Sequence, residues 1–115
     1  MSLRILVVED EMTIAFMIED MLTEMGHAVV ALAMRLPDAL SAAQAMEFDL
    51  AILDVNLDGL KSFPVADVLV GRAIPFAFAT GYGALGLGDA WRGRPVLVKP
   101  FRLEDLREVI TALAA

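Results

Sequence analysis

Four runs of this chain are almost purely apolar: Arg4 to Val8 (RILVV), Leu50 to Leu53 (LAIL), Pro75 to Ala79 (PFAFA) and Pro95 to Val98 (PVLV). A strand with one face in water alternates apolar and polar side chains, whereas a strand covered on both faces by helices reads as a continuous apolar run. The pattern restricts the chain to an α/β fold, a doubly wound parallel sheet with helices on both faces. Ala28 to Ala33 (AVVALA) supplies a fifth strand.

The segments between the runs have a helical period. Ile14, Met17, Ile18, Met21, Leu22 and Met25 fall on one stripe, with Glu19, Asp20, Thr23 and Glu24 facing out, as in a helix with one buried side. Gly26 suits a left-handed helix terminus. Leu36 to Ala45 carries Pro37 in its first turn, where a missing amide donor is tolerated. Pro64 to Gly71 is a similar short helix, and Leu103, Leu106, Val109, Ile110 and Leu113 form the stripe of a closing helix. The expected order is strand then helix, five times. The fourth helix coincides with Gly81, Gly83, Gly86, Gly88 and Gly93. Each glycine inside a helix costs about 0.5 to 1 kcal/mol relative to alanine, so this helix is expected to be short or frayed. Trp91 is expected to anchor that segment by packing, and Phe76 and Phe78 to be core residues.

A length of 115 residues with 58% hydrophobic content fits one compact domain over residues 1–115. No apolar stretch approaches the ~20 residues of a membrane span, and the first residues run into a strand rather than a signal peptide, so a cytoplasmic location is expected. The absence of cysteine removes disulfides, thiolate catalysis and thiolate metal sites together. A net charge of -7 argues against binding nucleic acid or anionic lipid, because no basic stripe is present to neutralise phosphates. His27 is the only histidine and has no partner for metal binding.

The chemistry lies where the apolar runs end. Glu9 and Asp10 follow the first strand, Asp54 the third, Thr80 the fourth and Lys99 the fifth. Strand ends of an open parallel sheet meet along one edge, so these residues can form one site. Three carboxylates there repel one another unless a cation sits among them, and magnesium favours a few carboxylates, a carbonyl and retained waters. An acidic helix entry would by itself account for Glu9, Asp10 and Glu11 through the helix dipole. Lys99, one of two lysines among nine basic residues, shifts the balance: beside the acids its ammonium can pair with a carboxylate at rest and with phosphoryl oxygens after transfer. The chain reversal at Lys99, Pro100 and Phe101 suits a cis Lys99–Pro100 peptide.

With these pieces in place the chain resembles the receiver domain of two-component response regulators, through VVEDE (Val7 to Glu11), LDVNLDG (Leu53 to Gly59), ATG (Ala79 to Gly81) and VKPF (Val98 to Phe101). The resemblance implies a flavodoxin-like strand order 2-1-3-4-5. It implies that Asp54 accepts a phosphoryl group from the histidine of a sensor histidine kinase or histidine phosphotransferase. Glu9, Asp10, Asp54 and the Asn56 main-chain carbonyl would hold magnesium, Lys99 would contact the phosphate, and Thr80 would move toward it as a switch. Such a protein is not an enzyme beyond its own phosphotransfer and autodephosphorylation. Phosphorylation would alter binding to a downstream protein partner, with the chain a monomer or weak homodimer.

Two features individualise the chain. Val96 stands three residues before Lys99, where many receivers carry an aromatic switch residue. PFAFATGYG (Pro75 to Gly83) and DVNLDG with the following Pro64 to Asp67 resemble the FAT GUY subgroup of mostly single-domain receivers, linked in several cases to general stress signalling and to kinases of the HWE type. By the same resemblance Asn56 and Tyr82 border the path of water to the acyl phosphate, and Tyr82 is expected to shield the phosphate and report its presence. Ala15 and Phe16 lie off the main stripe of the first helix, a place where partner helices dock in receivers.

The competing readings differ in class. A flavin carrier needs a phosphate-cradling loop after the first strand, but that loop is acidic here. An aspartyl-phosphate hydrolase using Asp54 and Asp58 lacks a second catalytic acid in a suitable place. A receiver used only for interaction, without phosphorylation, is the alternative within the same fold.

Overall fold

The computed structural model describes residues 2–81 and 87–115. Five parallel strands, β1 (Arg4–Val8), β2 (Ala28–Ala33), β3 (Leu50–Asp54), β6 (Phe76–Thr80) and β7 (Val96–Val98), form one sheet in the order β2-β1-β3-β6-β7. A small antiparallel hairpin, β4 (Asn56–Leu57) with β5 (Leu60–Lys61), follows β3. The helices are α1 (Met12–Glu24), α2 (Leu36–Ala45), α3 (Phe63–Gly71) and α4 (Leu103–Ala114). Counting only the strands of the main sheet, the order is the expected 2-1-3-4-5.

The continuous apolar runs are explained by two cores, one on each face. Alternate residues of a strand point to opposite faces. Leu6, Val8, Ala51, Leu53, Phe76 and Phe78 pack with Ala39, Ala42, Val65, Ala66 and Leu69 of α2 and α3. Ile5, Val7, Leu50, Ile52, Ala77, Ala79 and Leu97 pack with Ile18, Leu22, Leu106 and Ile110 of α1 and α4. Helix α1 stops as the sequence requires: Gly26 has φ +87°, its amide donates to the Thr23 carbonyl at 2.9 Å, and the His27 amide donates to Leu22 at 2.9 Å. This pairing is the Schellman arrangement, which satisfies carbonyls left over at a helix end.

Three details depart from the expected pattern. The hairpin interrupts the strand-helix alternation because Asp58 and Gly59 both adopt positive φ (51° and 86°), the conformation of a tight Asp-Gly hairpin turn. In the β6–β7 connection, where the fourth helix was expected, the described residues hold a 3-10 turn, Asp89–Trp91. On α1 the buried side is Ala15, Ile18 and Leu22, while Met17 is 36% exposed. Ala15 is thus a core residue rather than a surface one, because it lies three residues before Ile18 and seven before Leu22 on the buried face of the helix. Phe16 stays exposed. The glycine-rich expectation at Gly83 and Gly86, and that for Tyr82, lie outside the described residues.

Trp91 is the anchor expected of it. Its ring lies 5.7 Å from Phe78, 6.0 Å from Phe63 and 6.1 Å from Phe76, joining the far end of the connection to the core under β6. Val96 pairs in register with Phe78 and packs against the same cluster.

Candidate functional site at the carboxyl edge

Strand register brings the site together. Val8 is level with Leu53, so Glu9 and Asp54 emerge side by side from β1 and β3. Asp54 is level with Ala79, placing Thr80 one residue further along, and Thr80 is level with Val98, placing Lys99 one further again. The Lys99 amide donates to the Thr80 carbonyl at 2.9 Å, which fixes the last step. The Lys99–Pro100 peptide is cis, as expected from the reversal.

The side chains meet at hydrogen-bond distance. Lys99 Nζ donates to Glu9 Oε1 at 2.5 Å and lies 3.3 Å from Asp54 Oδ2. Glu9 is 1% exposed, Asp54 is 8% exposed, and Thr80 is buried. Carboxylate oxygens of Glu9, Asp10 and Asp54 all lie within 4.8 Å of one another. Asp10 is placed by the hairpin: the Asp58 amide donates to Asp10 Oδ2 at 2.9 Å. Burial disfavours the charged form of Asp10, but that amide and neighbouring hydrogen bonds outweigh it and hold the carboxyl below its ordinary value.

Asp54 behaves in the opposite way. Burial first, then the adjoining Glu9 carboxylate, push its pKa up to about 8, with Lys99 opposing only in part. Lys99 itself is raised: burial would lower it, but its bond to Glu9 and the charge of Asp54 prevail. Three acids facing one ammonium leave an excess of negative charge in a place where water screens poorly. The donor set is all oxygen, and together with its charge and spacing it fits a hard divalent cation such as magnesium. Glu9, Asp10 and Asp54 are the side chains that would hold it.

Asn56 is close to the site as expected, its amide 3.4 Å from Asp54 Oδ1. Sequence reasoning did not anticipate that the Asp58 amide would fix Asp10, nor that Lys61 Nζ would donate to the Asn56 side-chain oxygen at 2.8 Å. The Asp-Gly pair at Asp58 and Gly59 was the available signal for the hairpin that creates both contacts.

A five-stranded, doubly wound sheet with a buried aspartate between a lysine and two further acids at its carboxyl edge defines the class: an α/β domain with an acidic, all-oxygen cluster at the carboxyl edge of its sheet. The family model described as response regulator receiver domain matches residues 5–111, and the chain belongs to that family. It is similar to SdrG from Sphingomonas melonis Fr1, with 42% identity and a TM-score of 0.87 over 97% of this chain and 96% of that one. A structure of the BeF3-activated conformation of SdrG matches with a TM-score of 0.84. It is also similar to the response regulator PhyR from Brucella abortus, with 27% identity and a TM-score of 0.86 over 99% of this chain and 48% of that one. The transcriptional regulatory protein TcrA from Mycobacterium tuberculosis is 34% identical over 98% of this chain and 46% of its own length. The chain thus spans about half the length of this curated relative.

Proposed function

We propose that the chain is the phosphoacceptor of a two-component phosphorelay, taking a phosphoryl group on Asp54 from the histidine of a sensor histidine kinase or histidine phosphotransferase. The observation that carries this reading is the placement of Asp54, buried and flanked by Glu9, Asp10 and Lys99. Phosphoryl transfer has a loose transition state and needs positioning and charge neutralisation more than covalent assistance. An Asp54 oxygen forms the new bond to phosphorus as the bond to the donor nitrogen breaks and its electron pair returns to the imidazole. Lys99, already 3.3 Å from Asp54, is placed to accompany the phosphoryl oxygens. Magnesium, held by Glu9, Asp10, Asp54 and the Asn56 main-chain carbonyl, would supply neutralisation of the remaining charge. Thr80 would turn toward the phosphoryl group, whose charge of about -2 and strong acceptor oxygens bias the adjoining connection.

The reading extends to partners. Met12, Phe16 and Met17 leave an exposed apolar strip on α1 beside the acidic edge, suited to a helix of the phosphodonor. Among PhyR proteins, one is described as a stress response regulator and another, from Bartonella quintana, as an anti-anti-sigma factor; a downstream protein partner in stress signalling is the corresponding proposal here. The net charge of -7 and the absence of a helix long and apolar enough to cross a membrane among the described residues support a cytoplasmic switch that binds neither nucleic acid nor membrane. The domain modifies only itself and acts on no free substrate beyond its phosphodonor.

Incubation with acetyl phosphate and magnesium, followed by intact-mass measurement, tests the assignment. The wild type is expected to gain one phosphoryl group and Asp54→Asn none. Equal labelling of both would put the phosphoryl group on another residue and refute the Asp54 assignment, and labelling of neither would leave the interaction-only reading.

A further inference from the structure

The chain contains no cysteine, so the methionine thioethers are its only oxidisable sulfur. Among the described methionines, Met21, Met25 and Met46 pack against the two cores, and Met34 is half-buried. Met12 and Met17 are the exceptions, 58% and 36% exposed on α1. With Phe16 and Met21 they line an open groove of about 470 Å³, which Asp20 and Glu24 also line. The side of α1 that faces the core is Ala15, Ile18 and Leu22. The two exposed thioethers therefore lie off the face that holds the helix to the sheet.

A thioether is apolar and polarizable, whereas its sulfoxide carries a strong sulfur–oxygen dipole, so oxidation turns an apolar contact surface into a polar one. Access to solvent governs which sulfur reacts. The net charge of -7 and the acids lining the groove repel anionic oxidants but leave a neutral one free to enter. We propose that Met12 and Met17 form a redox modification site, at which a peroxide converts the apolar strip of α1 into a polar one while the fold and Asp54 stay intact. In the step, the sulfur lone pair attacks one peroxide oxygen and a sulfur–oxygen bond forms as the oxygen–oxygen bond breaks. The hydrogen on the transferred oxygen passes to the departing one, and water leaves. The sulfur gives up two electrons and the peroxide takes them. The consequence rests on the function proposed above: the strip is the surface suited to a helix of the phosphodonor, so the sulfoxide form would disfavour that helix and leave Asp54 open to a small donor.

The experiment treats the folded protein with hydrogen peroxide and follows each methionine by peptide mass spectrometry, with Nile red, a neutral dye, as the probe of the apolar strip. Met12 and Met17 are expected to gain oxygen roughly fivefold faster than Met25, Met34 and Met46, and the dye fluorescence to fall roughly threefold or more as they do. Methionine sulfoxide reductase with a dithiol should restore the dye signal. Met12→Leu/Met17→Leu, a swap that keeps volume and apolarity, should bind the dye before and after peroxide, and Met12→Gln/Met17→Gln should bind it poorly throughout. Acetyl phosphate should label Asp54 equally in reduced and oxidised wild type, with an unchanged circular dichroism spectrum. Equal oxidation of all these methionines overturns the proposal, as does full dye binding by the oxidised wild type or an equal loss in the leucine variant. Unfolding on oxidation would also overturn it, making the reaction damage rather than a switch. If acetyl phosphate labels neither form, the phosphoacceptor reading fails, and the oxidation site is judged on the mass shifts and the dye alone.

Discussion

Phe78, in the middle of β6, and Glu9, just past the end of β1, are withdrawn from water to the same degree, at 0% and 1% exposure. The first is surrounded by Phe63, Phe76 and Trp91 with ring centroids 5.4 to 5.9 Å away. The second lies against an ammonium and two further carboxyl groups. Burial of the ring stabilises the fold through apolar area and dense packing. Burial of the acids opposes it, because removing charge from water is costly unless each charge is paired, and here the acids outnumber the ammonium. The body of the sheet and its carboxyl edge therefore contribute to stability with opposite signs, and the body supports the edge. Substitutions that remove atoms from the body must destabilise, whereas some that remove charge from the edge must stabilise while abolishing the proposed phosphoryl uptake.

The largest expected effect is in the body. Phe78→Ala should lower the unfolding free energy by about 3–5 kcal/mol, the usual cost of truncating a buried aromatic, as read by chemical denaturation. A loss below 1 kcal/mol would show that the aromatic cluster under β6 is not a stabilising centre. Next comes the cation of the edge. Lys99→Met keeps the stem but strips the ammonium from Glu9 and Asp54, and in chelator at pH 8 it should cost about 2–3 kcal/mol, less than for a fully enclosed pair because Lys99 retains some contact with water. Were that variant as stable as wild type, the lysine would not be neutralising the acids.

Magnesium should act in the stabilising direction on the edge alone. At one hundred times its dissociation constant the gain is about 2.7 kcal/mol by mass action, and Glu9→Gln with Asp10→Asn should remove it. A melting temperature indifferent to magnesium in a wild type that still accepts phosphate would remove the cation from the account.

The same contrast explains how much of the molecule was legible in its sequence. The body was, because double burial writes itself as unbroken apolar runs and because β1, β2 and α2 have the bounds that their residue patterns require. Glu9, Asp10, Asp54, Thr80 and Lys99 were legible as a set, since each follows a run whose end must reach the same edge. The hairpin was not: its strands are two residues each, too short for a period, and only the Asp58–Gly59 pair marked its turn. Its two consequences, the Asp58 amide on Asp10 and Lys61 on Asn56, were hidden with it. Ala15 was misplaced because an apolar stripe read at fixed spacing favours the large methionines, while the buried face of α1 runs through Ala15, Ile18 and Leu22 and leaves Met17 outward.

The smallest stability effect carries the sharpest test. In metal-free protein the Asp54 pKa of about 8 stands above its unfolded value of 3.8, so between these the folded state binds more protons than the unfolded one. The contribution of Asp54 is then fully present below its unfolded pKa and is lost as pH rises through 8, so that stability falls with rising pH across the interval. Asp10, with its pKa lowered, acts with the opposite sign only at more acid pH. The measurement is the unfolding free energy of wild type and Asp54→Asn in chelator at pH 5 and at pH 8. The account predicts that the asparagine variant is more stable at pH 8, by about 1–2 kcal/mol, and that its margin over wild type narrows at pH 5. An asparagine variant no more stable than wild type at pH 8, with the same pH dependence, would contradict the claim that the carboxyl edge holds an excess of buried negative charge.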